Sequence, residues 1–110
     1  MSAVDVVQRQ LDTYNAQDLE PFLATYAPDC VICDLNGAVT QNGHAEIRAR
    51  YAAMFAQYPE NKARLVARMA LGDVVIDHED VSRGPTGPRF EAIAVYTVKD
   101  GLIARIDFIR

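Results

Sequence analysis

No stretch of this 110-residue chain approaches the roughly 20 consecutive apolar residues that a membrane-spanning helix requires. The first residues, Met1-Ser2-Ala3-Val4-Asp5, lack the basic start and apolar block of a secretory leader, so a cytoplasmic protein is expected. Positive charge is scarce. Eleven Lys and Arg against 15 Asp and Glu leave a net charge of −4. A surface that tracks nucleic-acid phosphates needs clustered cations, and an anionic membrane repels an acidic surface, so neither is an expected partner. Two cysteines, Cys30 and Cys33, make no disulfide scaffold. No Walker loop, G-x-G-x-x-G, H-E-x-x-H or serine nucleophile elbow occurs. ATP, NAD, metalloprotease and α/β-hydrolase chemistries therefore have no support, and no cofactor is expected.

What is present is the composition of a soluble globular protein, half hydrophobic and 24% charged. A chain of this length makes one domain, residues 1–110, with one core and room for one pocket. Val4, Val7, Leu11 and Tyr14 recur at three- and four-residue spacing and predict a first helix. Asp18 suits the N-cap of a short second helix, with Pro21 in its first turn, Phe22, Leu23 and Tyr26 on its buried face and Pro28 ending it. Cys30 to Leu35 reads as a strand, Asn36-Gly37 as a turn and Ala38 to Gln41 as a short return strand. A third helix starts at a Gly43 cap, with Ile47, Tyr51, Met54, Phe55 and Tyr58 as its apolar stripe and Pro59 beyond it. The period then changes to two. Ala63–Leu71, Asp73–Val81, Arg89–Lys99 and Leu102–Arg110 read as strands, with turns at Gly72 and Asp100-Gly101 and a longer loop from Ser82 to Pro88.

Strands gathered after helices predict an α+β domain with helices on one face of an antiparallel sheet. Both faces of the last two strands are apolar: Phe90, Ala92, Ala94, Tyr96 and Val98 on one side of the first, Ile93 and Val95 on the other. Helices cover one face. A second copy of the chain is the simplest cover for the other, so a homodimer through the outer sheet face is expected.

Four local strings carry a family resemblance: Tyr14-Asn15-Ala16-Gln17-Asp18-Leu19, Tyr26-Ala27-Pro28-Asp29, Gly43-His44-Ala45-Glu46-Ile47-Arg48 and Asp100-Gly101-Leu102-Ile103. With the order of elements, they make the chain similar to the nuclear transport factor 2-like superfamily over its whole length. Ketosteroid isomerases and SnoaL-like polyketide cyclases are members. The resemblance implies a cone: a curved sheet wrapped around N-terminal helices, of the cystatin-like kind, with a pocket between them. It is specific for the fold and not for one activity, because this scaffold hosts many functions.

Asp34 ends an apolar strand just before a turn. By position alone it is a turn-initiating residue that caps backbone amides. The resemblance adds a second reading, since the general base of ketosteroid isomerases is an aspartate at the end of the equivalent strand. A carboxylate in an apolar pocket gains basicity at neutral pH. The two donors that hold the dienolate in those enzymes are a tyrosine and a protonated aspartate. They match Gln10 and Ala94 here, and Ala94 has no donor. Two supporting tyrosines match at Tyr26 and Tyr51. Gln10 still carries a hydrogen-bond donor, and Tyr14, one turn further along the helix, lies near the same face.

His78 alternates with Val74 and Ile76, while Asp77 and Glu79 point the other way. It is either a satisfied core histidine or the acid/base partner of Asp34 in the pocket. Among the aromatics, Tyr26, Tyr51 and Tyr96 bring hydroxyls that need partners when buried, and with Tyr14 and Phe108 they are the expected pocket lining. Cys30 and Cys33, three apart on a strand, face opposite ways and neither bridge nor chelate, and His44 falls on an exposed helix turn, so no metal site is expected. Arg48, Arg50, Arg64 and Arg68 read as solvated faces.

The leading expectation is a cofactor-free enzyme that transfers a proton next to a carbonyl on a small apolar molecule, as an isomerase or cyclase, with Asp34 as base and His78, or a tyrosine among Tyr14, Tyr26 and Tyr51, polarising the carbonyl. The alternatives are a non-catalytic binder of a small apolar ligand and a dimeric scaffold with a filled core.

Overall fold

The computed structural model describes all residues, Met1–Arg110. Helix α1 (Ala3–Ala16) begins with a reciprocal cap: the Asp5 N–H donates to Ser2 Oγ at 3.1 Å and the Ser2 N–H to the Asp5 carboxylate at 3.1 Å. Its buried face is Val6, Val7, Gln10 and Leu11, and Gln17 ends it in the left-handed conformation. Helix α2 (Leu19–Leu23) buries Phe22 and Leu23. It stops before Tyr26, which opens strand β1 (Tyr26–Asp34) instead of closing the helix face. Strand β2 (Val39–Asn42) follows the Asn36-Gly37 turn and leads into helix α3 (Gly43–Gln57), where Ile47, Tyr51 and Phe55 are buried. Asn42, not Gly43, is the N-cap residue, and its N–H donates to Glu46 at 3.0 Å.

The four remaining strands are β3 (Lys62–Leu71), β4 (Val74–Ser82), β5 (Arg89–Lys99) and β6 (Leu102–Ile109), and they form an antiparallel meander. Asp100 and Gly101, at φ 53° and 76°, join β5 to β6 in the twist that a two-residue hairpin needs. The sheet order is β2-β1-β6-β5-β4-β3. One pairing departs from the expected antiparallel sheet: β1 runs parallel to β6, because the helices and the meander return the chain to that edge from the opposite end. Register shifts in β1, β3 and β5 bend the sheet around the helices. The α+β cone implied by the sequence is the architecture found.

The core fills the hollow of this cone. Val6, Val7, Phe22, Tyr26, Ile32, Ile47, Val75, Ala94, Tyr96, Ile103 and Ile106 are sealed together there. Cys30 and Cys33 are both buried and free. Strands β4 and β5 pair without a bulge from Val74↔Thr97 to Ser82↔Arg89, so their inward rows are in strict register. Val75, Asp77, Glu79 and Val81 face inward opposite Tyr96, Ala94, Ala92 and Phe90. The outward rows include Leu71 against Val74, Met69 against Ile76, Ile76 against Val95, and Ile93 against Ile109. No helix is long and apolar enough to cross a membrane.

Candidate functional site

A cleft opens at the wide end of the cone, between α1, α3 and the inner face of β4, β5 and β6. Helix α1 supplies Gln10 and Tyr14, α3 supplies Arg50, Tyr51 and Met54, and the sheet supplies Glu79, Phe90, Tyr96 and Phe108. Arg83 and Arg110 complete its edge. Its cavity volume is small, about 50 Å³.

Glu79 dominates the chemistry. It is 7% exposed, yet its carboxyl neither accepts a hydrogen bond nor pairs with a cation. Burial, reinforced by the nearby Asp77 charge, pushes it up to about 7, with Arg68 opposing. Asp77, two residues earlier on the same inner row, is 0% exposed and satisfied. Arg68 of β3 grips it with two bonds of 2.7 and 2.9 Å and also donates to Gln8 at 2.7 Å. The paired acid thus lies beside an unpaired one.

Glu79 is close enough that its charge raises the pKa of Tyr14, Tyr51 and Tyr96, all three already raised chiefly by burial. Gln10 bridges two phenols: its amide donates to the Tyr26 hydroxyl at 3.0 Å and accepts from Tyr96 at 3.4 Å. Tyr14 accepts from Arg83 at 3.1 Å, and Arg83 also donates to the buried Asn61 at 2.9 Å. The Tyr51 hydroxyl has no protein partner and is not sealed from the cleft. It is the free donor of the site.

Five of the expected lining residues, Gln10, Tyr14, Tyr51, Tyr96 and Phe108, come together here. Tyr26 and Ala94 lie behind the wall in the core; Ala94 is opposite Asp77 in the sheet. Asp34 stands outside the cleft. Its N–H donates to Ala38 and its carbonyl accepts from Gly37, while its side chain is 56% exposed and 3.6 Å from Arg110. Asp34 thus opens the turn through its main chain, while its carboxylate caps no backbone amide. His78 shares a face with Val74 and Ile76 as expected, but that face is the outer one, and its ring meets Glu91 at 2.7 Å. The inward row is fixed by Val75 and Val81, which pack on the helices, so Asp77 and Glu79 go inward with them.

Arg50 and Arg68, expected on solvated faces, have other places: Arg68 grips Asp77 and Arg50 lines the cleft. Arg48 and Arg64 do lie on exposed faces, paired with Glu20 and Asp80. His44 bonds the Tyr26 carbonyl oxygen at 2.8 Å. Glu79, Arg83 and Arg110 were not singled out by the sequence pattern. The alternation Val75-x-Asp77-x-Glu79-x-Val81 is the one signal for Glu79, two acids between two valines on one strand face, and nothing local marks Arg83 or Arg110.

A curved sheet wrapped around helices, with an acid and several phenols in its hollow, places the chain in the cystatin-like α+β class. The model of the SnoaL-like domain matches residues 7–106, and the chain belongs to that family. An uncharacterised cystatin-fold protein from Novosphingobium aromaticivorans is similar at 30% identity, with a TM-score of 0.93 over 100% of this chain and 99% of that one. A provisionally named polyketide cyclase from Sinorhizobium meliloti is 25% identical, with a TM-score of 0.82 over 99% and 100% of the two chains. A nuclear transport factor 2-like protein of unknown function from Cytophaga hutchinsonii shares the fold at 14% identity, with a TM-score of 0.82 over 99% and 89%. No curated protein matches the sequence.

Proposed function

We propose that this protein is a cofactor-free acid–base enzyme that moves a proton at a carbon next to a carbonyl, with Glu79 as the base. The observation that carries the reading is the buried, unpaired Glu79 carboxyl in the cleft, poised at about 7. A base poised near the working pH balances ionised fraction against proton affinity, and a positioned base contributes roughly 10²–10⁴-fold. The Glu79 carboxylate takes the proton from the α-carbon and the C–H electron pair passes to the carbonyl oxygen. The Tyr51 hydroxyl donates a hydrogen bond to that oxygen as charge develops. In a β,γ-unsaturated substrate the enolate is a dienolate, and return of the proton to its γ-carbon shifts the double bond and gives isomerisation. Attack of the enolate on a second carbonyl of the same molecule gives cyclisation.

Solvent deuterium uptake by small ketones tests this by mass spectrometry. Uptake is expected from the wild type and from Asp34→Asn, and is expected to fall by roughly 10²–10⁴ in Glu79→Gln. The reverse pattern, loss in Asp34→Asn alone, moves the base to the strand end. A non-catalytic binder is the second reading. It is favoured by the sealed, donor-free Ala94 where the resemblance implies an oxyanion donor. Tight ligand binding with no uptake by any variant selects it.

A further inference from the structure

The cleft holds more positive charge than its neighbours neutralise. In a chain of net charge −4, three arginines line this one opening, Arg50, Arg83 and Arg110. Arg50 donates to the neutral amide of Gln41 at 2.6 Å and has no carboxylate partner. Arg83 donates only to a phenol and an amide, Tyr14 and Asn61. Arg110 has one acidic neighbour, the exposed Asp34 at 3.6 Å, a pairing that water screens. Burial and then the Arg50 charge pull the Arg110 pKa down, with Tyr51 and Asp34 opposing and Arg83 adding to the effect, so Arg110 lies within reach of both other cations.

Their guanidinium groups are also held in place. Arg110 lies 4.4 Å over the Phe108 ring, Arg50 lies 5.1 Å over Tyr51, and Arg83 lies 5.0 Å over Phe90. Stacking leaves the edges of a guanidinium, with their forked donors, free for a planar anion. The arginines are half-buried or exposed, whereas Glu79, Gln10 and Tyr96 are buried, so the cationic groups flank the entrance and the acid lies deeper. Ligands of drug size occupy pockets of about 300–1,000 Å³. The cavity here, about 50 Å³, lies well below that range.

We propose that the substrate is a small oxo acid whose carboxylate is held by Arg50, Arg83 and Arg110 while its carbonyl end reaches toward Glu79. It differs from the apolar ligand expected from the sequence. It rests on the proton-transfer reading for the role of Glu79, but the carboxylate site stands on the arginines alone.

Binding separates the two claims. Titration calorimetry with 4-oxopentanoate, its methyl ester and 2-pentanone compares one skeleton with and without the anion. The acid is expected to bind roughly 10- to 100-fold more tightly than the ester or the ketone, the range of one charge-assisted hydrogen bond. Arg110→Gln, at the chain end, and Arg50→Gln are each expected to shrink that preference, and the Arg50→Gln/Arg110→Gln pair to shrink it furthest. Glu79→Gln is expected to keep the preference while losing deuterium uptake. Equal binding of acid and ester, binding of neither, or an unchanged preference in the double variant overturns the carboxylate site. Tighter binding of inorganic phosphate than of the acid overturns it too, in favour of a phosphate site. Preference for the acid with no uptake from any substrate leaves the carboxylate site standing and removes the proton-transfer reading. Uptake with no preference for the acid does the opposite.

Discussion

The two sides of strand β4 are made from neighbouring residues and behave as different materials. Inward, Asp77 is neutralised by Arg68, and Glu79 has no partner and is pushed up to about 7. Outward, Asp80 is held by Arg64 and Arg89, which keep its carboxyl down at about 2. His78 meets the exposed Glu91 in water. Glu79 and Asp80 are adjacent carboxylic acids, and their protonation midpoints lie about five units apart by those two values. The difference is solvent and partners, not residue type. An acid excluded from water without a cation becomes a base near neutral pH, and an acid with two guanidinium neighbours remains a surface charge.

The contrast breaks most severely at Arg68. Arg68→Ala leaves Asp77 buried and uncompensated, and a loss of about 3–5 kcal/mol is expected, measured by urea unfolding. It also removes the cation that lowers the Glu79 pKa, so the pH at which deuterium uptake reaches half its maximum should move upward. A loss within about 0.5 kcal/mol would show that water reaches Asp77.

Next in size is the pH dependence of stability. The folded pKa of Glu79 is raised above its ordinary value of 4.5 to about 7. Between those values the unfolded chain gives up this proton and the folded chain keeps it. The Glu79 contribution therefore turns against folding as pH rises from about 4.5 to about 7 and stays level above that. At pH 8 its cost is on the order of 3 kcal/mol, and Glu79→Gln is expected to be more stable than wild type by up to that amount. At pH 4 the two should unfold at nearly the same urea concentration. A Gln variant less stable at pH 8 would mean that the carboxylate has a partner in solution.

On the outer face, the apolar rows through Met69, Ile76, Val95 and Ile93 carry the expectation of a second copy. Sedimentation is expected to show a dimer, and Val95→Lys to shift it to monomer without loss of helix or sheet signal. A monomeric wild type removes that partner. The smallest effect belongs to His78. His78→Gln removes one exposed hydrogen bond to Glu91, so stability should change by less than about 0.5 kcal/mol and deuterium uptake not at all. A large loss of uptake there would mean that the outer face communicates with the cleft.

Much of the fold was legible in the sequence because periodicity is a local property. The strand pairs 62–71 with 74–82 and 89–99 with 102–109 appear within a residue or two of where the alternation puts them. The start of β1 at Tyr26 was not legible, since Pro28 reads locally as a helix stop and only pairing with β6 makes that segment extended. The lining residues Gln10, Tyr14, Tyr51, Tyr96 and Phe108 were found because a phenol or amide on an apolar stripe stands out. The acid was missed for the same reason. Glu79 beside Asp77 looks like a solvated face until the sheet curves over the helices.

The sequence by itself determined the elements, their order, the α+β class and which residues on each strand share a side. It could not determine which side of β4 meets the helices. Alternation assigns faces in pairs without saying which is inner, because a flat strand has no inside. That choice was made by the tertiary structure, where Val75 and Val81 pack on the core and carry Asp77 and Glu79 in with them. Likewise the three arginines at 50, 83 and 110 are far apart along the chain. Only the curvature of the sheet brings their charges to one opening, where burial gives them and Glu79 their chemistry.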